Sequence, residues 1–274
     1  MISVDTHIHT RYSHGKATPE EMYEAAVKKG IKVFGFSEHS VRPAGMSYPQ
    51  REYREHLAAH WDTYIKKVTA LKNNNDDVTV LLGIEVDWME GNEEFIKAQL
   101  AKHDFDYVLC GIHFLENWGF DYSEADWESL NYDEQVALYK KYFETMVTMA
   151  KTGIFDTIAH PDIIKIFSCA YFSKWIATEE AQALVHQALS AVRDAGMSME
   201  ISSAGIRKSC QEIYPGEIIM GIASKLNLPI SFGSDAHSTS SVAFNFDKLE
   251  EHARRFGYTE SVYFQNRKMH SRPF

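Results

Sequence analysis

The residues of this sequence with the clearest capacity for chemistry are histidines and carboxylates that directly follow short apolar runs. One pair stands near the N-terminus in Asp5-Thr6-His7-Ile8-His9, and Gly233-Ser234-Asp235-Ala236-His237 lies near the far end. Between these segments, four further residues each end an apolar run: His39, Glu85, His113 and His160. Imidazole and carboxylate ligands suit divalent Zn, Fe or Mn. If the fold gathers these residues, we expect a site for more than one metal ion.

The spacing of these residues favours chelation. Side chains at positions i and i+2 of a strand project to the same side, so the imidazoles of His7 and His9 can hold one ion. Glu85 and Asp235 each follow a strand-like apolar run. A buried carboxylate is costly unless it is paired or bound to a metal. Both carboxylates are therefore predicted metal ligands.

Strand-like and helical patterns alternate along the whole chain. The apolar runs are 2–6, 32–36, 78–86, 107–112, 155–159, 198–201 and 229–233, with a weaker eighth candidate at 260–264. Helical patterns lie between them, and the capping box Thr18-Pro19-Glu20-Glu21 marks the start of the first. The alternation predicts a parallel sheet, and seven or eight such units favour closure into a barrel. The carboxyl ends of barrel strands meet on one face, where the ligands would converge.

Length and composition bound the class of protein. A chain of 274 residues with 45% hydrophobic and 24% charged residues suits a single α/β barrel domain over residues 1–274. The net charge of −10 argues against a nucleic-acid partner, which needs a basic surface. Cys110, Cys169 and Cys210 are widely spaced, which indicates reduced thiols in a cytoplasmic protein. No signal-peptide pattern and no membrane-length apolar run are evident, so no membrane partner is expected.

Nine short motifs in this order resemble the polymerase and histidinol phosphatase (PHP) family, and more closely its histidinol-phosphate phosphatase branch. The matching stretches cover most of the chain: Asp5-Thr6-His7-Ile8-His9-Thr10, Gly35-Phe36-Ser37-Glu38-His39, Gly83-Ile84-Glu85-Val86-Asp87, Gly111-Ile112-His113-Phe114, Trp118-Gly119-Phe120-Asp121, Ala159-His160-Pro161-Asp162, Gly205-Ile206-Arg207-Lys208, Glu212-Ile213-Tyr214-Pro215 and Gly233-Ser234-Asp235-Ala236-His237. The resemblance implies a distorted (β/α)7 TIM-like barrel that holds three divalent metal ions at the strand C-terminal face.

The resemblance also implies how the ligands divide among the three ions. The first ion would have His7, His9 and Asp235, with Glu85 bridging it to the second. The second would be completed by His113 and His160, and the third would have His14, His39 and His237. All nine positions carry residues that can bind a metal. His14 lies in a loop, so a surface role is its alternative interpretation; His56 and His60, four residues apart on a predicted amphipathic helix, are expected to be non-ligands.

Two ions that share a carboxylate can activate a water molecule for attack on phosphorus. Glu85, Asp235 and His237 are accordingly the predicted catalytic residues, the last two as candidates to assist the leaving alkoxide. For substrate binding the sequence offers Arg207, whose planar guanidinium fits phosphate, together with Lys165 and Trp118. The longest predicted loops follow strand runs, at 11–16, 40–50, 114–131, 162–177 and 202–214. Their aromatic residues, including Tyr48, either line a substrate pocket or simply pack the loops.

The expected function is hydrolysis of L-histidinol phosphate to L-histidinol and phosphate by a metal-dependent phosphomonoesterase of histidine biosynthesis, acting as a monomer or small homo-oligomer on a small phosphorylated substrate. One alternative keeps the fold and metals but changes the substrate to another small phosphate ester or diester. A second is a metal-dependent amidohydrolase, which usually carries a bridging lysine where this chain has His113. A third is a non-catalytic module, against which the full set of ligand positions argues.

Overall fold

The strand runs of the sequence form the wall of a barrel. The structure, a computed structural model, describes residues 1–44, 48–49, 51–73 and 78–274. Its strands are β1 (Val4–Asp5), β2 (Val33–Phe36), β3 (Thr79–Asp87), β4 (Tyr107–Gly111), β5 (Phe114–Leu115), β6 (Trp118–Gly119), β7 (Thr157–Ile158), β8 (Ser198–Ser202), β9 (Ile230–Gly233), β10 (Glu260–Gln265) and β11 (Lys268–Pro273). Seven of them form one parallel sheet in the order β1-β2-β3-β4-β7-β8-β9. The predicted seven-stranded barrel is confirmed.

The first and last barrel strands meet at a seam that short contacts close. The Thr6 amide donates to the Phe232 carbonyl at 3.1 Å, and the Ala236 amide donates to the His7 carbonyl at 3.2 Å. Beside them the buried Asp5 carboxylate accepts from the amide and the hydroxyl of Ser234, at 2.9 and 2.7 Å. Burial raises the pKa of Asp5 to about 6, although these hydrogen bonds lower it. The seam therefore places the His7 and Asp235 segments side by side.

Helices surround the barrel. They are α1 (Pro19–Lys28), α2 (Arg51–Asn73), α3 (Glu93–Leu100), α4 (Glu124–Glu128), α5 (Tyr132–Ala150), α6 (Cys169–Ile176), α7 (Glu179–Asp194), α8 (Glu217–Lys225) and α9 (Phe246–Arg255). In α1 the Thr18 hydroxyl caps the Glu21 amide and Pro19 occupies the first turn, as the sequence predicts. Met22 and Ala26 of this helix are buried in the core. Among the described residues, no helix is both long and apolar enough to cross a membrane.

The eighth strand candidate does form a strand but lies outside the barrel. β10 pairs with β11 in an antiparallel hairpin, and Asn266 and Arg267 between them have φ of 50° and 60°. Two consecutive residues in this left-handed region make the tight turn that joins antiparallel strands. A parallel pairing of β10 with the next strand would need a much longer connecting segment than these two residues. Val262 and Phe264 of the hairpin pack against the buried core residues of β1 to β3.

Two predicted loops contain regular structure. The predicted loop 162–177 includes α6, and the predicted loop 114–131 includes the β5–β6 hairpin and α4. Each short helix follows a serine, Ser123 or Ser168, which is a common N-cap residue, but neither side chain makes an N-cap hydrogen bond. Of the predicted loop 40–50, residues 45–47 and 50 lie outside the described residues.

Candidate metal centre

The predicted ligands converge at the carboxyl ends of the barrel strands. Three groups of ligand atoms each lie within 4.8 Å of one another: His7, His9 and Glu85; Glu85, His113 and His160; and His9, His39 and His237. Asp235 joins the first group, because its Oδ1 lies 3.3 Å from His9 Nε2 and 3.6 Å from His7 Nε2. The cluster thus assembles from both ends and the middle of the chain.

Glu85 lies at the centre of the cluster. Its side chain is 1% exposed, and its two oxygens face five imidazoles: Oε2 lies 3.3 Å from His7 Nε2, 3.2 Å from His9 Nε2 and 3.2 Å from His39 Nδ1, and Oε1 lies 3.0 Å from His160 Nε2 and 3.6 Å from His113 Nε2. Burial alone would raise the pKa of Glu85, but the surrounding histidines, His39 and His7 foremost, hold it well below its usual value. The carboxylate is therefore held in its ionised form; it belongs to two of the three groups and lies 3.2 Å from both His9 and His39 of the other.

Two carboxylates outside the cluster, called the outer carboxylates below, accept hydrogen bonds from histidines of the cluster. His7 Nδ1 donates to Glu200 Oε1 at 2.8 Å, and His113 Nδ1 donates to Asp87 Oδ1 at 2.6 Å. Glu200 Oε2 also accepts from the His160 amide at 2.8 Å. A proton held on Nδ1 leaves Nε2 free to bind a metal, which is the usual role of such partners. Glu200 was not predicted from the sequence, although it is a carboxylate within the buried strand β8 and is costly there for the same reason as Glu85.

Asp87 is itself fixed by an arginine. Arg42, 1% exposed, places its Nε 2.5 Å from Asp87 Oδ2 and its guanidinium 5.2 Å from the centre of the Phe114 ring. Burial would raise the pKa of Asp87, but Arg42 and then His113 hold it well below its usual range. Arg42 thus fixes Asp87, and Asp87 in turn accepts a hydrogen bond from His113, a predicted metal ligand.

The third group differs from the set that the resemblance implied. His9 is the third member beside His39 and His237, whereas His14 belongs to none of the three groups. The His14 ring is nevertheless adjacent, with its centre 4.1 Å from that of His237, and its Nδ1 lies 2.9 Å from the Tyr53 hydroxyl. His14 projects from the loop that follows β1 and is exposed, which is why strand-end spacing alone could not place it.

The donor set fits divalent metal ions. His39 Nδ1 and His237 Nε2 are buried and have no hydrogen-bond partner. Burial and the neighbouring His9 lower the pKa of His237 to about 3, so its ring is unprotonated and free to bind a metal. Burial lowers the pKa of His9 and His113, but their carboxylate neighbours, led by Asp235 for His9 and Asp87 for His113, raise it to about 9 in each case. Buried polar atoms without partners are rare, and bound ions would satisfy them.

A cleft of about 300 Å³ opens over the cluster. Its lining comprises His14, His39, Tyr48, Tyr53, Glu85, His113, Asp121, Tyr122, His160, Ile163, Ile166, Ala204, Lys208, Tyr214, Asp235 and His237. Tyr48 donates a hydrogen bond to Asp121 at 2.8 Å, so the predicted aromatic wall exists and is tied to an acidic group. Lys208, which the sequence analysis did not single out, brings an exposed ammonium to this cleft.

The three predicted substrate contacts lie outside the lining of this cleft. Arg207 donates instead to the carbonyls of Ser234 and Asp235, at 2.6 and 2.9 Å. Trp118, which lies in β6, donates from Nε1 to Asp126 at 3.3 Å. The role of these two residues toward substrate stays a prediction.

The Lys165 ammonium forms ion pairs outside the cleft. Its ammonium lies 2.8 Å from both Asp162 and Glu212 and is 2% exposed, beside a separate cavity of about 430 Å³. Burial would lower the pKa of Lys165, but these two carboxylates raise it well above its usual value. A buried ammonium requires such partners, so Asp162 and Glu212 balance the charge of Lys165 in this structure, and its role toward phosphate stays a prediction.

Comparison with known proteins identifies the family. The model of the PHP domain matches residues 5–204. The chain belongs to the PHP domain family. Its curated relatives include a probable histidinol-phosphatase of Deinococcus radiodurans, 32% identical over 97% of each chain. Another is the histidinol-phosphatase of Bacillus subtilis, 25% identical over 90% of this chain and 98% of the relative.

Solved structures share the fold. A putative histidinol phosphatase from Listeria monocytogenes superposes with a TM-score of 0.80 at 23% identity, covering 89% of this chain and 98% of the other. A histidinol phosphate phosphatase from Lactococcus lactis, solved with Zn, L-histidinol and phosphate, superposes with a TM-score of 0.73 at 16% identity and covers 98% of each chain. These two proteins therefore share the barrel fold described above.

Proposed function

We propose that this chain is a metal-dependent histidinol-phosphatase, which hydrolyses L-histidinol phosphate to L-histidinol and phosphate. The observation that carries the proposal is the Glu85-centred cluster of histidines at the floor of a cleft, with all nine ligand positions filled by competent residues. The likeness to the Deinococcus and Bacillus relatives along nearly the whole chain supports the choice of substrate.

The residues of the cluster would hold three divalent ions. His7, His9 and Asp235 would hold the first, His113 and His160 the second, and Glu85 would bridge the two. The third would lie among His39, His237 and the adjacent His14. Bound ions of Zn, Fe or Mn would supply Lewis-acid activation of water and would neutralise charge on the phosphoryl group.

The chain's own groups would orient the substrate. Lys208 brings positive charge to the cleft wall and suits a phosphoryl oxygen. Asp121, held by Tyr48, offers a carboxylate to the ammonium of an amino alcohol, and the rings of Tyr48 and Tyr122 offer flat surfaces to an imidazole. The cleft thus offers a cation suited to the phosphoryl group and a carboxylate suited to the ammonium of the same substrate.

Asp235 and His237 fit better as ligands than as proton donors. Burial would raise the pKa of Asp235, but the histidines around it, His7 and His237 foremost, hold it well below its usual value. The lowered pKa of His237, about 3, likewise leaves its ring unprotonated at neutral pH. Asp235 is then ionised, and the single proton of the neutral His237 ring lies on Nδ1, which donates to the Asp235 carbonyl at 3.0 Å.

The test is steady-state kinetics on metal-replete protein with a panel of phosphate esters, with metal content determined on the same sample. We expect kcat/KM to be highest for histidinol phosphate among monoesters that differ in the alcohol. A preference for another small monoester or a diester would retain the metal chemistry and reject the substrate. Absence of hydrolysis at full metal content would reject the enzyme itself.

A further inference from the structure

A second cavity, called the α8 cavity below, lies between α6, the start of α8 and α9. Its volume is about 430 Å³, and none of the described residues that line it also lines the cleft over the metal centre. Phe172 and Ile176 of α6 and Ile219 of α8 give it buried apolar surface. Small-molecule sites usually have volumes of about 300–1,000 Å³. The α8 cavity is therefore large enough for a small ligand with an apolar part.

One part of the α8 cavity carries an excess of negative charge. Asp162 and Glu212 both lie 2.8 Å from the Lys165 ammonium, so two carboxylates face one cation. Asp162 is fully buried. Its Oδ2 also accepts from the Gly216 amide at 2.9 Å, whereas its Oδ1 has no hydrogen-bond partner among the described residues. Buried carboxylate oxygens rarely lack a partner. This part of the cavity thus suits a ligand ammonium, which would supply donors to both carboxylates.

The first turn of α8 and Arg255 give another part of the cavity the opposite character. Gly216 precedes the helix and has no side chain to cap it, so the first amides of α8 keep their partial positive charge. Such a helix start commonly binds a carboxylate or phosphate. Arg255 Nη1 lies 2.7 Å from Glu217, and a guanidinium has five donors, so others remain for an anion. This part suits a ligand carboxylate.

A buried histidine holds Arg255 in place. His252 of α9 is 4% exposed, and its Nε2 donates to the Pro215 carbonyl at 3.0 Å. Its Nδ1 is then free to accept from Arg255 Nη2, which lies 3.0 Å away. Burial lowers the pKa of His252, so the ring is unprotonated at neutral pH and can accept this bond. Arg255 is therefore oriented before a ligand arrives, which reduces the entropy that binding costs.

We propose that the α8 cavity binds a free α-amino acid with an apolar or aromatic side chain. The ammonium would contact Asp162 and Glu212. The carboxylate would contact the first turn of α8 and Arg255, and the side chain would pack against Phe172 and Ile176. An amine alone would leave the helix start without an anion, and a carboxylate alone would leave the Asp162 oxygen without a donor. An amino acid supplies both groups.

The experiment titrates the zinc-loaded protein with L-phenylalanine and with L-leucine in a calorimeter. We expect one site per chain. Phenethylamine lacks the carboxylate and hydrocinnamate lacks the ammonium, so each should bind about tenfold or more weakly than L-phenylalanine. Glycine should also bind weakly, because it has no side chain to bury in the apolar part of the cavity.

Variants assign the binding to the α8 cavity. Ser173 is an exposed residue of α6 that lines the cavity, so the indole of Ser173→Trp should fill the space and abolish binding. Arg255→Ala should weaken L-phenylalanine binding about tenfold or more. Arg193→Ala is its matched control, because Arg193 of α7 is an arginine that pairs with Asp194 and does not line the cavity. Asp121→Asn, a substitution in the cleft, should also leave the affinity unchanged.

These measurements involve no phosphate ester, so their outcome is independent of the proposed function. Absence of binding by both amino acids at millimolar concentration would overturn the site. Binding that Asp121→Asn abolishes and Ser173→Trp leaves intact would place the amino acid in the cleft and overturn the site as well. If phenethylamine or hydrocinnamate binds as tightly as L-phenylalanine, the ligand is not an amino acid.

Discussion

Two halves of the ligand cluster hold their imidazoles in different ways. In the Glu85 half, formed by Glu85, His7, His113 and His160, the histidines are buried, and His7 and His113 donate to the outer carboxylates Glu200 and Asp87. In the open half, formed by His14, His39 and His237, the outer partners are neutral: the Tyr53 hydroxyl for His14 and the Asp235 carbonyl for His237.

The protonation of the two halves differs accordingly. Carboxylates raise the pKa of His7 and His113 against the effect of burial, whereas burial dominates and lowers the pKa of His39 and His237. Without metal, the Glu85 half thus carries protons that must leave when ions bind, and the open half offers free imidazoles. Charge therefore holds the Glu85 half together before any ion arrives, whereas in the open half His39 Nδ1 and His237 Nε2 are buried without a hydrogen-bond partner among the described residues and would gain one from a bound ion.

The largest effect is expected from Glu85→Gln. An amide cannot balance the charge of the ions it would bridge, so kcat should fall by about a hundredfold or more, and the bound metal should decrease. The matched control is Glu94→Gln on the exposed face of α3, where the carboxylate pairs with Lys97. Near wild-type turnover in Glu85→Gln at full metal content would show that the centre of the cluster has been misassigned.

Replacing the outer carboxylates should weaken metal binding by about ten- to a hundredfold, as is usual for such partners. The variants are Glu200→Gln and Asp87→Asn, and competition with a chelator measures the affinity. Asp156→Asn is the control, because Asp156 is also a buried carboxylate but binds the Val108 amide and Arg267 away from the cluster. If all three variants lose metal equally, general destabilisation explains the loss and the two halves do not differ in this way.

A substitution in the open half should reduce activity less than Glu85→Gln does. His14→Ala leaves the three close groups intact, so it should lower the occupancy of the third ion alone and reduce kcat less than Glu85→Gln does. Elemental analysis together with kinetics on the same preparation tests this. An equal loss in both variants would mean that the halves act as a single unit.

Substitutions of the neighbouring cations Lys208 and Arg207 should distinguish phosphate binding from support of the cluster. Lys208→Ala should raise KM by roughly tenfold, which corresponds to a charge-assisted contact of about 1.5 kcal/mol. Arg207→Ala should lower metal retention at the seam, because Arg207 donates to the Ser234 and Asp235 carbonyls. Steady-state kinetics with inhibition by inorganic phosphate distinguishes them. A higher KM in Arg207→Ala with metal retention unchanged would restore Arg207 as the phosphate ligand.

The smallest effect is the pH dependence of the metal-free protein. The raised pKa values of His9 and His113, about 9, stabilise the fold below the ordinary histidine value near 6.5, and this stability is lost as the pH rises toward 9. The lowered pKa of His237, about 3, removes stability as the pH falls below 6.5. Urea unfolding after dialysis against chelator should therefore show highest stability near pH 6.5. A monotonic profile between pH 4 and 9 would contradict the assigned charges.

The sequence predicts the barrel and the ligands because both follow from strand patterns. A histidine at the end of a buried strand has a defined position and direction, so His39, His113 and His160 could be placed before the structure was known. Glu200 lies within β8 rather than at its end, so only the cost of burying a carboxylate there could have indicated it, and no motif draws attention to it. Loop residues lack such a rule, which is why the sequence could not show that Lys165 pairs with Asp162 and Glu212, or that Lys208 rather than Arg207 lines the cleft.

The seam between β1 and β9 determines at which stage of synthesis and folding the residues of the cluster can all come together. His7 and His9 precede Asp235 and His237 by more than two hundred residues, so they are made well before them. Because Thr6 pairs with Phe232 and Asp5 with Ser234, these ligands meet only when the barrel has closed on itself. A nascent chain can hold at most part of the cluster, so full metal loading is an event that follows synthesis and reports that the whole barrel has folded.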